Sequence, residues 1–472
     1  MLSDAVFKRK FAVTMYKNLR ISLGEMSFAK DFVQDTKGDP YPVLEKSADC
    51  SEKILRGRYY LESGMVKRFV AQYFPFGVYE MTANAEGEAG FTFAIPSAEA
   101  RITVKNGELL FAAGESAERI PLPQWLQEVW TMSVSCRPGF FDVYFEDGGK
   151  PQYYHTFASQ AFENANDHAL FSSGHAAVLL SGKAVVSAVS CYIDNGISQA
   201  DMRPIRYENG DIMTEQGKVY LTMSIRLQEK MMQGVFSWVP GTAQFALSGV
   251  LYYDTGDGKW CGDVASSILY HREKKQWYLW VCSFNHGHIL GHCAFEGDPR
   301  FGVNVIDITL MEKAPEGTPI TEFLGFEGDE DPDFFYDEAT GKWTMAICRN
   351  DPTIRGYRYQ FFESDRPFEG YTHIGSGVAG SETGGSFVRV KGERYFLCGN
   401  DFNRTSNYRI YSRDGMKEAK FDYPDGGFRG WGTLMPIKLG SRTRYFWLTF
   451  DRSRGSDYTW SYGNVYCFEA DL

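Results

Sequence analysis

Short stretches of alternating apolar and polar residues, separated by glycine, asparagine and aspartate, recur along the whole chain. This alternation has the period of a β-strand with one buried face, and helical periodicity is scarce. In the first 200 residues the clearest hairpin is 101–111, where Asn106 and Gly107 supply the positive φ angles of a type I′ turn. A second hairpin covers 130–145 and turns at a Pro-Gly pair. Regular strands without helices predict a β-sandwich for this part of the chain.

From about residue 200 onward the pattern becomes a repeat. Each unit opens at an acidic residue or, in the last unit, a tryptophan. It continues through an apolar strand, turns at a glycine-containing pair and returns through an aromatic strand. The unit openings lie about 50 to 70 residues apart, and about 40 to 50 residues is usual for a four-stranded propeller blade. The five openings are Asp211, Asp263, Asp331, Glu382 and Trp431. The sequence therefore predicts an all-β protein with two domains, a jelly-roll β-sandwich over 1–198 and a five-bladed β-propeller over 199–472.

Composition supports this division and limits the partners. With 472 residues, the chain has about three times the length of a typical domain, and its 16% aromatic content suits strands better than helices. The formal net charge of −11 argues against a nucleic-acid partner, which would need a basic surface. No stretch approaches 18 apolar residues, so no membrane partner is expected.

The N-terminal residues and the cysteines both indicate the same cellular compartment. The first ten residues contain no apolar run and no small-residue cleavage site, so they do not have the pattern of a secretory signal. Nine cysteines are scattered without C-x-x-C pairs, which favours reduced, buried thiols over a disulfide framework or a zinc site. We therefore expect a soluble cytoplasmic protein.

The third and fourth units carry the most specific motifs. Asp331-Pro332 is followed by an apolar strand, a Gly-Lys turn and an aromatic strand, and Glu382 opens Glu-Thr-Gly-Gly before a strand, a Lys-Gly turn and Tyr-Phe-Leu. These motifs, their order and their spacing resemble those of family 43 glycoside hydrolases, five-bladed propellers of the furanosidase clan that also includes family 32. Glu382 lacks the Glu-Gly-Pro proline of that family. The first 198 residues resemble concanavalin-type and laminin G-type sandwiches.

The resemblance implies catalytic roles for three carboxylates. Asp211 would be the general base that activates water, Asp331 would orient the proton donor and raise its pKa, and Glu382 would be the general acid. Two carboxyl groups on opposite faces of the sugar ring are what glycoside hydrolysis requires. The first position departs from the family pattern, because Gly210-Asp211-Ile212 replaces an Asp-Pro pair. A turn-capping role for Asp211 therefore stays open.

Neighbouring acidic residues leave the register of the third unit open. Asp329 and Asp333 lie two residues from Asp331, so in a regular strand they would point the same way, whereas Glu330 would point to the opposite face. If the register differs, Asp329 or Asp333 would take the place of Asp331.

Four further residues are candidates for substrate binding. Asp263 and His286 belong to the second unit, Arg349 offers a planar fork of donors, and Trp431 offers a stacking surface for a sugar ring. Each has an ordinary structural alternative in a turn, an ion pair or the core. The three histidines within 286–292 do not lie on an HExxH-type helix, so zinc is not favoured. No cofactor is expected to be required, although the resemblance admits a structural calcium or sodium ion in the cavity.

These observations predict a glycoside hydrolase acting on oligosaccharides. The expected reaction is inverting and exo-acting, on terminal furanose or pentose residues, as in α-L-arabinofuranosidases and β-xylosidases. One alternative is a retaining fructofuranosidase-like enzyme with Asp211 as nucleophile. A second alternative is a propeller that binds carbohydrate without hydrolysing it. The sandwich would bind carbohydrate or wall the pocket.

Overall fold

The computed structural model describes residues 2–26, 41–312, 324–351, 356–378, 380, 382–400, 408–422, 429–451 and 463–472. At positions 351, 400, 422, 429–431 and 451 only the backbone is described. The all-β prediction, with a sandwich and a five-bladed propeller, is confirmed. Helical structure in these residues is limited to one α-helical turn, His168–Phe171, and three 3-10 turns, Leu2–Asp4, Gln160–Phe162 and Phe284–His286.

The strands are numbered along the chain. The first nineteen are β1 (Val6–Val13), β2 (Arg20–Met26), β3 (Val43–Lys46), β4 (Ser51–Leu55), β5 (Arg58–Ser63), β6 (Met65–Gln72), β7 (Val78–Ala85), β8 (Glu88–Ile95), β9 (Ala98–Lys105), β10 (Glu108–Ala113), β11 (Ser116–Pro121), β12 (Trp130–Arg137), β13 (Phe140–Asp147), β14 (Lys150–Ala158), β15 (His175–Ser181), β16 (Ala184–Asp194), β17 (Ser198–Pro204), β18 (Arg206–Tyr207) and β19 (Thr214–Glu215). The others are β20 (Lys218–Arg226), β21 (Met231–Trp238), β22 (Phe245–Asp254), β23 (Val264–His271), β24 (Gln276–Ser283), β25 (Ile289–Phe295), β26 (Gly302–Asp307), β27 (Thr309–Leu310), β28 (Asp329–Asp337), β29 (Lys342–Asp351), β30 (Gly356–Ser364), β31 (Thr372–Ser376), β32 (Glu382–Val390), β33 (Glu393–Asn400), β34 (Arg409–Ser412), β35 (Gly415–Glu418), β36 (Lys420–Asp422), β37 (Arg429–Leu439), β38 (Arg442–Asp451) and β39 (Val465–Ala470).

One compact unit is the sandwich, made of residues 20–194 together with 258–260. Its sheets have the strand orders β11-β10-β9-β8-β15-β6-β3 and β14-β13-β12-β7-β16-β5-β4, and β2 also pairs with β16. The predicted 101–111 hairpin is present, with φ of 51° at Asn106 and 78° at Gly107. Apolar residues from alternate positions of both sheets fill the space between them, and Phe111 stacks on Phe157 at 4.7 Å. Their burial follows the period-two pattern of the sequence.

The other unit is the propeller, made of residues 1–19, 195–257 and 261–472. Five sheets form it, with inner strands β17, β23, β28, β32 and β37. Each inner strand contacts the next, and β37 contacts β17, so the five inner strands form a closed ring. Each sheet continues outward through antiparallel strands, as in β28-β29-β30-β31 and β32-β33-β34-β35. Closure of the ring leaves short outer edges only.

The N-terminal strand belongs to this propeller, although the sequence placed residues 1–198 together in the sandwich. Strand β1 pairs antiparallel with β39 and parallel with β36 in the fifth sheet. Phe7 is fully buried there, with its ring 5.0 Å from that of Trp447 and 5.2 Å from that of Phe421. The first and last segments of the chain thus complete one sheet together.

The five inner strands share one irregularity, a β-bulge near the N-terminal end of the strand. Pairing with the second strand shifts at the same step in each, so that extra residues are unpaired. The shifts lie between Ala200 and Arg203, Val264 and Ser267, Glu330 and Asp333, Thr383 and Ser386, and Arg429 and Gly432. Four of the strands have a left-handed residue at this point, Asp201, Ala265, Asp331 and Gly384, with φ between 50° and 62°. Left-handed backbone is costly for non-glycine residues and redirects the side chains around it.

A buried ion pair joins the inner strands one step further along. Arg206 donates to Asp333, and the two side chains are almost fully buried. Arg206 also donates to the Phe387 carbonyl at 3.2 Å, and Asp333 accepts from Ser267 Oγ and from the Phe387 amide, each at 2.6 Å. Arg206 follows β17, and its partners Ser267, Asp333 and Phe387 lie in β23, β28 and β32. One arginine and one carboxylate therefore link four inner strands or the segments beside them.

Candidate active site

Asp331 occupies the bulge of the third inner strand, and its carboxylate is held by the fourth strand. Its Oδ2 accepts hydrogen bonds from Thr383 Oγ1 at 2.8 Å and from the Gly384 amide at 2.9 Å. The Arg203 guanidinium donates to the Asp331 carbonyl at 3.2 Å and lies 4.0 Å from Oδ1. These hydrogen bonds fix the orientation of the carboxylate. Asp331 was predicted from the sequence as a site residue. In the structure its side chain is oriented by residues of the neighbouring strand.

Glu330 lies on the same side as Asp331, contrary to the alternation expected of a regular strand. The ligand oxygens of Glu330 and Asp331 lie within 4.8 Å of each other, because the bulge turns the two neighbouring side chains together. Asp329 and Asp333, which alternation placed beside Asp331, are instead fully buried in ion pairs with arginines. Prediction from a strict period of two was therefore wrong for this strand.

Glu330 also contacts the loop after the second sheet. Its Oε2 lies 3.1 Å from Nε2 of His288, whose ring stacks on Phe284 at 4.3 Å. Its Oε1 lies 4.0 Å from the Cys348 thiol. Burial, followed by the negative charges of Asp331 and Asp201, raises the pKa of Glu330 to about 7, although the His288 hydrogen bond opposes this shift. A carboxyl with such a pKa exchanges its proton near neutrality.

Asp201 is the third carboxylate of this group, and the sequence analysis missed it. It occupies the bulge of the first inner strand, the position that Asp331 has in the third. Arg226 lies 3.6 Å from its Oδ2. Burial and the charge of Asp331 raise the pKa of Asp201. The sequence signal for Asp201 was the short strand pattern around 198–204, which is followed by the turn at Asn209. The later inner strands are likewise each followed by a turn.

Asp211, the predicted general base, lies elsewhere. It is exposed in the turn after β18, where its Oδ2 accepts a hydrogen bond from Asn209 Nδ2 at 3.0 Å and its backbone carbonyl accepts from Tyr207 at 2.8 Å. Its charge acts on Arg272, which follows the C-terminal end of β23, whereas the bulges lie at the N-terminal ends of the inner strands. These contacts of Asp211 within its own turn correspond to the turn-capping role that the sequence left open.

Two positions before four of the five bulges lies a buried polar residue that contacts a neighbouring segment. The four are Gln199, Asp263, Asp329 and Glu382. Gln199 donates to the Met15 carbonyl at 3.0 Å. Asp329 accepts from Arg349 Nε at 2.6 Å and Nη2 at 2.9 Å. This recurrence assigns a structural role to the position, independent of the side chain that fills it.

Glu382, the predicted proton donor, belongs to this capping position. Its Oε1 accepts from Arg409 Nη1 at 2.8 Å and from the Tyr411 hydroxyl, and its Oε2 accepts from the Tyr359 amide at 3.2 Å. The residue is 0% exposed. Burial raises the pKa of Glu382, whereas Tyr411 and Arg409 lower it. Glu382 is therefore held between the third and fourth sheets by three donors.

The predicted binding residues of the second sheet form a hydrogen-bonded chain. Asp263 is fully buried and accepts from Ser283 Oγ at 2.8 Å and from Asn285 Nδ2 at 2.8 Å. Burial raises the pKa of Asp263. His286 Nδ1 lies 2.9 Å from the same Ser283 hydroxyl, and its Nε2 lies 3.3 Å from Thr255 Oγ1. This chain shapes the loop that carries His288.

The two remaining predicted binding residues have different outcomes. Arg349 is buried and paired with Asp329, and its guanidinium lies 4.7 Å from the Phe326 ring. The side chain of Trp431 lies outside the described residues. Neither stacking of a sugar on Trp431 nor hydrogen bonding to Arg349 is tested by these contacts.

One cluster among the described residues has the spacing of metal ligands, namely Glu330, Asp331 and Cys348. Burial raises the pKa of the Cys348 thiol well above its usual value, and that thiol donates to the Glu382 carbonyl at 2.9 Å. A protonated thiol is a poor ligand, and calcium needs six to eight oxygen atoms. These two carboxylates supply fewer oxygen ligands than calcium takes, and the calcium or sodium ion that the resemblance admits stays a prediction.

Neither a known protein family nor a curated protein sequence matches the chain. Among solved structures, a family 43 β-1,3-galactosidase is 12% identical, covering 57% of this chain and 93% of that chain, with a TM-score of 0.37. A family 117 glycoside hydrolase from the marine bacterium Zobellia galactanivorans is 13% identical, covering 58% of this chain and 84% of that chain, with a TM-score of 0.41. A family 66 carbohydrate-binding module from Bacillus subtilis is 12% identical, covering 32% of this chain and 94% of that chain, with a TM-score of 0.25.

The family that the motifs resemble is thus among the solved structures similar to this chain. At such low identity the likeness concerns the fold alone, and the site rests on the contacts described above. Within the described parts of the chain, no helix is long and apolar enough to cross a membrane.

Proposed function

We propose that this protein is a glycoside hydrolase whose active site lies at the N-terminal ends of the inner propeller strands. The observation that carries the proposal is the convergence of Asp201, Glu330 and Asp331 around the bulges. Carboxylates of like charge repel one another, so a fold that gathers three of them retains them at a cost. Hydrolysis of a glycosidic bond uses such a group, because it needs one protonated and one ionised carboxyl.

In this mechanism Asp201 is the general base. It accepts a proton from the water molecule that attacks the anomeric carbon, and the positive charge of Arg226, 3.6 Å from its Oδ2, favours its ionised form against burial. Asp331 is held in place by the hydrogen bonds that Thr383 and Gly384 donate to it. Its charge orients the reacting groups and stabilises positive charge that develops on the sugar.

The proposed substrates are oligosaccharides with a terminal furanose or pentose residue. This part rests on the motif resemblance around Asp331 and Glu382, which also supports inversion at the anomeric carbon. An enzyme that needs no cofactor and acts in the cytoplasm remains the prediction from sequence.

The test is hydrolysis of a panel of 4-nitrophenyl furanosides, 4-nitrophenyl pyranosides and fructo-oligosaccharides. We expect the wild type to hydrolyse one sugar, and Asp201→Asn and Asp331→Asn to lower kcat/KM by roughly 10²–10⁴-fold. Asp211→Asn is the matched control and should keep the wild-type rate. Proton NMR of the first-formed anomer decides between inversion and retention. If all three variants keep the wild-type rate, the site lies elsewhere.

A second function is a propeller that binds carbohydrate without hydrolysing it. The observation that favours it is Glu382, the expected proton donor, sealed by Arg409, Tyr411 and the Tyr359 amide. Calorimetric binding of an oligosaccharide from the panel, with no product formed after prolonged incubation, would support this function over hydrolysis.

A further inference from the structure

Glu330 differs from three of the buried carboxylates of the inner strands in its access to solvent. Its side chain is 15% exposed, whereas Asp329, Asp333 and Glu382 are 0% exposed. Among the described residues, the polar contacts of Glu330 are His288 at Oε2 and the Cys348 thiol, 4.0 Å from Oε1. Part of the Glu330 side chain is therefore open to solvent, with one carboxyl oxygen beside His288 and the other facing the buried Cys348 thiol.

Glu382 has the opposite properties. Both of its oxygens already accept hydrogen bonds, one of them from the cationic Arg409. A carboxyl that donates a proton to a leaving group must carry that proton and reach the glycosidic oxygen within hydrogen-bond distance. Burial raises the pKa of Glu382, but its three hydrogen bonds occupy both carboxyl oxygens and leave neither an open direction toward a leaving group.

From this geometry we propose that Glu330 is the proton donor of the hydrolysis and that His288 is its positioning residue. The inference rests on the proposed function and names the acid of that site. Glu330 transfers its proton to the glycosidic oxygen as the bond from that oxygen to the anomeric carbon breaks. Water forms the new bond to the anomeric carbon and gives its proton to Asp201. Exchange with solvent returns one proton to Glu330 and removes one from Asp201, so the site is restored.

The charges around Glu330 support its protonated form. Asp331 is held by the Thr383 hydroxyl and the Gly384 amide, and one of its carboxyl oxygens lies within 4.8 Å of one of Glu330. Placing a second negative charge beside it is unfavourable, and this raises the pKa of Glu330. The titratable groups that act on Glu330 or on its immediate surroundings are Asp201 on β17, Cys282 on β24, His288 after it, Asp331 on β28, Cys348 on β29 and Tyr357 on β30.

His288 fixes the orientation of the donor. Its backbone is left-handed with φ of 56°, and its carbonyl accepts from the Gly328 amide at 2.8 Å, two residues before Glu330. The ring stacks on Phe284 at 4.3 Å while Nε2 contacts Glu330 Oε2. His288 therefore fixes the orientation of one carboxyl oxygen of Glu330.

The first experiment compares leaving groups for the sugar that the nitrophenyl panel identifies. Glu330→Gln should lower kcat/KM by roughly 10²–10⁴-fold for the alkyl glycoside, whose leaving group needs protonation, but by less than about tenfold for the 2,4-dinitrophenyl glycoside, whose leaving group does not. Glu338→Gln, an exposed neighbour at the end of the same strand, is the matched control and should keep the wild-type rates. Glu382→Gln should keep the wild-type ratio between the two substrates.

A second experiment separates positioning by His288 from simple structural support. The His288 hydrogen bond lowers the pKa of Glu330, so its removal in His288→Ala should move the alkaline limb of the kcat/KM profile to higher pH. His288→Gln, which can still donate a hydrogen bond, should return the limb toward the wild-type pH. A purely structural role would lower the rate without moving the limb.

The outcomes distinguish this inference from the proposed function. If the wild type hydrolyses a glycoside and Glu382→Gln, rather than Glu330→Gln, shows the leaving-group dependence, Glu330 is not the donor although the enzyme is a glycosidase. Infrared difference spectra of wild type minus Glu330→Gln give a readout that needs no turnover. A protonated-carboxyl band at neutral pH that disappears in Glu330→Gln supports the inference, and the absence of such a band overturns it.

Discussion

Replacement of Asp333 by alanine should destabilise the propeller strongly. Asp333 is fully buried and accepts hydrogen bonds from the Arg206 guanidinium, the Ser267 hydroxyl and the Phe387 amide. In Asp333→Ala the Arg206 cation stays buried without its counter-charge. The hydroxyl and the amide also lose their acceptor.

The magnitude follows from these three losses. Breaking a buried ion pair from one side costs about 3–5 kcal/mol, and each buried donor left without an acceptor costs about 1 kcal/mol or more. Water that enters the space left by Asp333 offsets part of this, so we expect a net loss of about 5 kcal/mol. At about 2–4 °C per kcal/mol for a domain of this size, the melting temperature of the propeller should fall by about 10–20 °C.

The assay is urea unfolding, followed by circular dichroism and tryptophan fluorescence for both units of the chain. The matched control is Asp365→Asn, which removes a carboxylate that is 80% exposed and paired with Lys342, and it should cost less than about 1 kcal/mol. The double variant Arg206→Met with Asp333→Leu should recover at least about 2 kcal/mol relative to Asp333→Ala, because the unpaired cation is gone.

Two results would refute this reasoning. One is a loss below about 1 kcal/mol in Asp333→Ala, which would mean that Arg206 reaches another acceptor or solvent without penalty. The other is a double variant no more stable than Asp333→Ala, which would place the cost in packing rather than in the unpaired charge.

Three further predictions concern other parts of the chain. Phe7→Ala should cost about 3–5 kcal/mol in urea unfolding, because the ring is fully buried in the fifth sheet, whereas the exposed neighbour Val6→Ala should cost less than about 0.5 kcal/mol. Hydrolysis should decline above about pH 7 in a kcat/KM profile, since Glu330, with a pKa of about 7, loses its donated proton as the pH rises through that value; an unchanged rate to pH 9 would contradict this assignment. Iodoacetamide should label the native protein slowly even at the half-buried Cys50 and Cys293, since burial raises the pKa of both thiols, and mass spectrometry should find all nine cysteines labelled after unfolding.

Local patterns in the sequence were sufficient for the architecture. Alternation of apolar residues with period two, and turns such as Asn106-Gly107, are properties of a few consecutive residues, so strands and hairpins could be predicted from them. The recurrence of similar units predicted the five-bladed ring. Strand β1 was not assigned to the propeller, because its partners β36 and β39 are separated from it by more than 400 residues in the sequence. Pairing between such distant segments leaves no local pattern in the sequence.

The site was predicted in part. Asp331 lies in the cluster, but Asp201 and Glu330 were assigned no role, and Glu382 lies at a capping position. The cause is the bulge, because a left-handed residue such as Asp331 reverses the alternation that the sequence implies. Its cost is compensated by the closed ring around it, which is a property of the whole domain.

The sequence by itself determined that this chain forms a sandwich and a propeller, because hydrophobic burial depends on the period of apolar residues along each strand. Only the tertiary structure decided which carboxylates meet. Asp201 and Glu330 are 129 positions apart and come together only when the ring closes and the bulges turn their side chains toward the same point. Their shared electrostatic field, and with it the raised pKa of Glu330, exists only in that folded arrangement.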